Sequence, residues 1–208
     1  MSYAPRPGLS PAVATALAAG LIRESDRVLE VGCGTGTDAL ALARFGCRVT
    51  GVDRDARAVA TARARARRAR LPGTRARFVE GDAIDLPSLL GDTPFGAFDV
   101  IVDTLFANNL DRRGIRLYAP AVAAVARPGA LILMQNRVWK RNHDRVATRR
   151  PPDGALAAWF DFGPRVSSAV PERPLRKRDP PFARVWVSVG RRNDRASPLA
   201  PSGRQVNA

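Results

Sequence analysis

Three glycines at two-residue spacing, Gly32, Gly34 and Gly36 in the stretch VLEVGCGTG, place a sharp turn directly behind the apolar run Val28, Leu29 and Val31. Glycine backbones turn tightly and approach a ligand with no Cβ in the way. Between a buried strand and a helix, such a turn is where α/β proteins cradle nucleotide-like ligands. Asp53 closes a second apolar segment, RVTGVD, seventeen residues after Gly36. A carboxylate at that place can accept both hydroxyl protons of a ribose. Together the two features predict an adenosine-containing cofactor.

The dinucleotide fingerprint G-x-G-x-x-G brings a pyrophosphate onto a helix N-terminus through its third glycine. Here that place is taken by Thr37, and the acidic Glu30 stands two residues before Gly32. A carboxylate beside the turn suits a ligand with positive charge better than one with a pyrophosphate. Groups able to move a proton are scarce. His143 is the only histidine, and its RNHD setting reads as an exposed loop. No general base, nucleophile or metal-ligating cluster emerges, so the catalytic residues stay unassigned and no metal site is expected.

The segments VLEVGCGTG, VTGVDRD, EGDAIDLP and FDVIVD follow one another in an order and spacing that closely resemble the successive motifs of class I S-adenosylmethionine-dependent methyltransferases. The resemblance covers about Leu9 to Arg191 and implies an α/β, single-domain Rossmann-like methyltransferase fold. Its sheet would be mostly parallel and seven-stranded, with a C-terminal antiparallel hairpin. It implies S-adenosyl-L-methionine as cofactor, with Gly32, Cys33, Gly34 and Gly36 along the methionine and ribose and Glu30 beside them. Asp53 would hold the ribose hydroxyls, Arg54 would lie beside the adenine, and Asp82 with Ala83 would meet the adenine edge. Asp103 would face the methionine end or the acceptor. Within the superfamily, LEVGCGTGTDALALARFGCRVTGVD, DRRGIRLYAPAVAAVARPGALILM and FARVWVSVGRR are similar to the thiopurine and tellurite-resistance group. Gly129-Ala130 in place of Gly-Gly, and Thr104 in place of an arginine after Asp103, depart from that group.

Methyl transfer from a sulfonium is an in-line displacement, so the protein must chiefly align the reacting atoms with little water present. A dedicated base is optional for a thiolate or a neutral amine and helps an alcohol or phenol. Catechol-type enzymes set magnesium-binding aspartates after strands four and five. Asp103 fits the first, but Gln135 and Asn136 occupy the second. The Asn-Pro-Pro-aromatic signature of amine methylation is replaced by DTLF at positions 103–106. The expected activity is therefore methyl transfer to a heteroatom (S, N or O) of a small molecule, with Phe106 and Trp139 as candidate acceptor-lining residues. Tyr3, Trp159 and Phe160 are weaker candidates, the last two reading as core, and Trp186 reads as packing. An RNA or protein methyltransferase, or an enzyme that keeps the cofactor without transferring its methyl, are the alternatives.

The elements that must position these residues read as follows. Residues 1–11 carry three prolines and should be extended. Ala12–Ile22 forms an alanine-rich helix, and the domain proper occupies residues 12–190. Strands are expected at 28–31, 48–53, 75–79, 98–103 and 130–135. Helices should lie at Thr37–Phe45 with Gly46 as its stop, at 56–71 capped by Asp55, and at Asp111–Ala126 with Pro120 starting a second part. Gly154–Phe162 suggests a last helix, while Arg165–Val170 and Phe182–Val189 alternate as strands. Residues 191–208 have no apolar periodicity and read as a disordered tail.

At 208 residues and 22.4 kDa one domain is enough. The net charge of +15 favours anionic partners, yet all but two of the 34 basic residues are arginine, a compositional skew. Nucleic acid is thus the lesser partner expectation beside a small-molecule acceptor. An anionic acceptor would suit Arg137–Arg150, with six basic residues and one acid. Arg63, Arg65, Arg67, Arg68 and Arg70 read as the solvated side of the third helix. Cys33 and Cys47 fall in buried settings, so no disulfide framework is expected. The apolar stretch before the first strand is too short to cross a bilayer, which leads to the expectation of a cytoplasmic protein with no membrane contact. The oligomeric state is not encoded in any of these features.

Overall fold

The computed structural model describes residues 8–91, 93, 96–138, 153–163, 166–171 and 182–194. Its centre is a run of parallel strands: β1 (Arg27–Val31), β2 (Arg48–Asp53), β3 (Ala76–Glu80), β4 (Phe98–Thr104) and β5 (Ala126–Val138). The antiparallel β6 (Phe160–Phe162) and β8 (Phe182–Arg192) follow, and the sheet order is β3-β2-β1-β4-β5-β8-β6. The short β6 (Phe160–Phe162) pairs with Gly190–Arg192 of β8, and β7 (Val166–Pro171) pairs with Phe182–Val187 of the same strand. The two segments share one edge end to end, so eight strands fill the seven lateral positions of a Rossmann-like methyltransferase sheet.

Central strands bury both faces, which explains their near-continuous Val, Leu and Ile runs. On one side α1 (Pro11–Ala18), α2 (Thr37–Phe45) and α3 (Ala56–Arg68) pack Val13, Leu40 and Val59 against Val28, Val49, Val100 and Leu131. On the other, α4 (Leu86–Leu89) and α5 (Arg112–Val125) set Leu86, Tyr118 and Val122 against Leu29, Val31, Ile101, Ile132 and Met134. The strand order reverses between β1 and β4, so the crevice beyond their C-terminal ends lies at the topological switch point.

Several expected boundaries are corrected by local chemistry. Helix α1 starts behind an N-cap, with the Ser10 hydroxyl accepting the Val13 N–H at 3.3 Å, but it stops at Ala18 instead of Ile22. Gly20 in a left-handed conformation turns the chain, and Leu21 N–H bonds back to Ala16 O. Helix α3 ends at Arg68, because Arg70 takes a left-handed conformation and Leu71 N–H bonds back to Ala66 O, closing the last turn ahead of Pro72. Pro120 sits inside a single α5 instead of starting a second helix. The carbonyl it deprives of a partner belongs to Arg116, an exposed residue that water can satisfy. Strand β5 begins at Ala126 and absorbs Arg127–Ala130 as an irregularity opposite Phe98–Val100.

The expected helix at Gly154–Phe162 is wrong in kind. Only α6 (Asp153–Leu156) is helical, and the chain then joins the sheet as β6. Its Phe160 and Phe162 obey a period of two and complete the free edge of β8, with Phe160 fully buried. Arg191 lies within β8, and Asn193 N–H still bonds Trp159 O, so the domain passes the expected limit at 190. The rest of the 191–208 tail, the segment 1–7 and positions 139–152 lie outside the described residues.

Candidate functional site

The glycine turn leaves β1 at its C-terminal end and is fixed by hydrogen bonds to the end of the neighbouring strand β2. Cys33 N–H bonds Val52 O at 3.0 Å, and Gly34 N–H donates to Asp53 Oδ2 at 2.7 Å. The second carboxylate oxygen of Asp53 accepts the Asp55 N–H at 2.9 Å. Each oxygen of an ionised carboxylate has capacity for about two donors, so one acceptor position per oxygen stays free for a ligand hydroxyl. Asp53 is half-buried and Arg54 beside it is exposed. Gly34 has φ of +52°, and a Cβ built there meets no atom within 4 Å. Its outer side is open space, of the kind a cradled ligand fills.

Carboxylates dominate the walls. Glu30, only 3% exposed, leaves Oε2 without a partner among the described residues. Burial, reinforced by Asp38 and then by Asp53, pushes its carboxyl well above the usual range. Asp38 is also raised by burial, against the hydrogen bonds it receives from Ser10. Three acids thus converge on one side of the turn, an arrangement that a cationic ligand would relieve. Asp82 lies at the end of β3, half-buried, where its Oδ1 accepts the Ile84 N–H at 3.2 Å, with the buried Ala83 next to it.

Two expected roles look different in the structure. The Cys33 side chain turns into the core beside Gly51, and burial raises its thiol above the ordinary value, so only its backbone reaches the turn. Asp103 does not open onto the crevice. It is 0% exposed, and its carboxylate accepts the Tyr118 hydroxyl at 2.8 Å and the Ala107 N–H at 3.2 Å. Burial raises it to about 6 against those hydrogen bonds. Its work is to hold the turn after β4 so that Phe106 reaches over the glycines, where a Cβ on Gly32 would come within 3.0 Å of it. Phe106 also lies 5.2 Å from the Tyr118 ring, centre to centre.

Helix α1 forms the roof. Ser10 N–H donates to Asp38 Oδ1 at 2.9 Å, and Ala12 N–H donates to Gln135 Oε1 at 3.2 Å. Two side chains of the site thereby satisfy backbone donors that a helix start leaves open. Arg65 of α3 braces the far side of the turn through Thr35 O at 2.7 Å and the Thr35 and Thr37 hydroxyls at 3.1 Å. Asp38, Gln135, Tyr118 and Arg65 have no spacing signal that would single them out from the chain alone. Trp139 and His143 lie outside the described residues. Among the described residues no three His, Cys, Asp or Glu side chains gather as a metal site would require.

Residues 28–129 match the model of a methyltransferase domain. The fold is that of a class I methyltransferase, and its cofactor is S-adenosylmethionine. The glycine turn, the open face of Gly34 and the convergent acids fit that cation. Ribosomal protein L11 methyltransferase of Thermus thermophilus is 40% identical over 86 residues, 41% of this chain and 30% of the relative, so the match spans less than a third of that protein's length. A solved structure concerned with conversion of a disulfide bond into a thioacetal group during echinomycin biosynthesis is similar at 27% identity. Its TM-score is 0.71, and the match covers 88% of this chain and 82% of that one. The Burkholderia thailandensis 1,6-didemethyltoxoflavin-N1-methyltransferase, solved with 1,6-didemethyltoxoflavin and S-adenosylhomocysteine, matches at 21% identity and TM-score 0.64. It covers 88% of this chain and 77% of its own and supports the methyltransferase fold. Among the described residues no helix is long and apolar enough to cross a membrane.

Proposed function

We propose that the protein transfers the methyl group of S-adenosylmethionine to a heteroatom (S, N or O) of a small molecule. The observation that carries this reading is the roofed crevice, in which α1 is tied by its first N–H groups to Asp38 and Gln135 above the glycine turn. A helix tied across the rim in this way favours a compact acceptor. Gly32, Gly34, Gly36 and the Cys33 backbone hold the methionine and ribose, and Asp53 takes the ribose hydroxyls. Arg54, Asp82 and Ala83 frame the adenine, with Glu30 and Asp38 facing the positive end. Phe106 borders the acceptor, and Trp139, outside the described residues, stays a candidate for the same role.

The bound cofactor supplies an electrophilic methyl group and a thioether leaving group. The chain itself orients the acceptor and keeps water away. Asp103 is enclosed and serves by fixing Phe106, so the reaction relies on positioning. The similarity to a protein of echinomycin biosynthesis supports a small-molecule acceptor, and the resemblance to the thiopurine and tellurite-resistance group points the same way. The basic segment 137–150 suits an anionic acceptor. Two buried free cysteines fit a reducing, cytoplasmic setting.

A second reading, a protein or RNA methyltransferase, is favoured by the similarity to ribosomal protein L11 methyltransferase and by nine arginines against one acid between positions 54 and 77. The test is transfer of label from methyl-tritiated S-adenosylmethionine to thiols, amines and phenols, set beside RNA and ribosomal protein. Label in small molecules supports the first reading. Label only in macromolecules, with binding that falls steeply as salt rises, would replace it with the second. Turnover that forms no S-adenosylhomocysteine would point instead to an enzyme that keeps the cofactor intact.

A further inference from the structure

Among the described residues, Asn136 is the buried amide of the site that has nothing to bind. It is 2% exposed, yet neither Oδ1 nor Nδ2 has a hydrogen-bond partner among the described residues. A native buried polar group without a partner calls for a reason, since it forfeits the hydration it had in the unfolded chain. Its place in the fold supplies one. Strand β5 pairs with β8 without interruption from Leu131 to Val138, so its side chains alternate strictly. Ile132 and Met134 enter the apolar layer beneath α5, and Asn136 is the next residue on that face, at the C-terminal rim. An apolar side chain would continue the column.

Asp103 gives the contrast. It pairs with Met134 in the adjacent strand, one pleat below Asn136 on the same face, and the fold supplies its carboxylate with the Tyr118 hydroxyl and the Ala107 N–H. The fold supplies Asn136 with none. Gln135, the neighbour that faces the other way, has its amide oxygen occupied by α1. Leu105 N–H bonds Gln135 O at 3.0 Å, which sets Asn136 alongside the turn that carries Phe106 over the glycines. The unsatisfied amide therefore sits enclosed beside the turn that carries Phe106, where an acceptor reaches it only as that rim opens.

We propose that Asn136 recognises the methyl acceptor by pairing its amide with an adjacent N–H and C=O of that molecule, as presented by a lactam or carboxamide edge. An amide offers one donor and one acceptor side by side, and that edge is its complement whichever way the amide is turned. A purely apolar acceptor would leave both groups stranded. The assignment rests on the small-molecule reading, and it sets the substrate class within it.

The experiment uses the full chain saturated with S-adenosylhomocysteine. Calorimetry measures binding of 2-pyridone against pyridine and of hypoxanthine against purine, pairs that differ in the lactam edge. The wild-type protein is expected to prefer the lactam member about tenfold or more. Asn136→Leu should abolish the preference, leave S-adenosylhomocysteine affinity within about twofold, and melt at the same temperature or higher. Asn136→Ala should show the same loss of preference if the leucine variant does not fold. Equal binding of both members by the wild-type protein, or a preference that survives in either variant, would overturn the assignment while leaving the small-molecule reading intact. Loss of S-adenosylhomocysteine binding by the wild-type protein would count against the cofactor site itself.

Discussion

Two glycines of the same turn should fail for opposite reasons when replaced by alanine. Gly34 and Gly36 both hold left-handed backbone, with φ of +52° and +75°. An L-residue there is strained by about 1 to 2 kcal/mol. At Gly34 the added Cβ meets nothing within 4 Å, so the stability loss should stop at that strain. The methyl group would instead stand in the open cradle, and S-adenosylhomocysteine affinity should fall about tenfold or more. At Gly36 the Cβ would lie 2.9 Å from the Phe78 ring and 3.0 Å from Ala62 Cβ, both in the packed layer between α3 and the sheet. Overpacking of that kind adds about 1 to 3 kcal/mol, for a total of about 2 to 5 kcal/mol. Urea denaturation and calorimetric titration on both variants separate the effects. A Gly34→Ala protein that binds within twofold of wild type would refute the placement of the cradle, and a Gly36→Ala protein of unchanged stability would refute the packing ascribed to Gly36.

Asp53→Ala should weaken S-adenosylhomocysteine by about 1.5 to 3 kcal/mol, the scale of hydrogen bonds to a charged group. NADH should not compete, and calorimetry showing tight NADH binding would reject the cofactor site. Asp103, raised from 3.8 to about 6, holds its proton more tightly folded than unfolded. Stability from this group is therefore present at low pH and lost as pH rises between about 4 and 6, by about 3 kcal/mol in all. Asp103→Asn should remove that slope, and urea curves for variant and wild type that stay parallel across this range would contradict it. Gln135→Leu should free α1 by stranding the buried Ala12 N–H, at about 1 to 3 kcal/mol. Faster amide exchange across Pro11–Ala18, with an acceptor KM raised more than the cofactor affinity is weakened, is the expected result; unchanged exchange would deny the tether.

What was legible in the chain alone is local and periodic. The glycine spacing, Asp53 seventeen residues later and the acid-bounded apolar strand 98–103 each depend on neighbours in sequence, because turns, strand runs and caps are set by adjacent residues. These marks carried the parallel sheet, the cofactor and the positions of Gly32, Gly34 and Gly36. Where a short apolar segment had two possible partners, the chain alone misled. Phe160–Phe162 reads as helix in isolation and becomes strand because β8 offers an unpaired edge. Direction was equally out of reach. Cys33 stands between two site glycines, yet its thiol enters the core, and Asp103 ends a site strand, yet its carboxylate is sealed by Tyr118 fifteen residues away. The tie of α1 to Gln135 joins positions 123 residues apart. Sequence by itself determined the glycine turn and the carboxylate that ends the next strand, since each is set by neighbours along the chain. Only the tertiary structure decided which acids stay buried, what roofs the crevice and which amide is left without a partner, because those depend on side chains from distant segments meeting at the rim of the sheet.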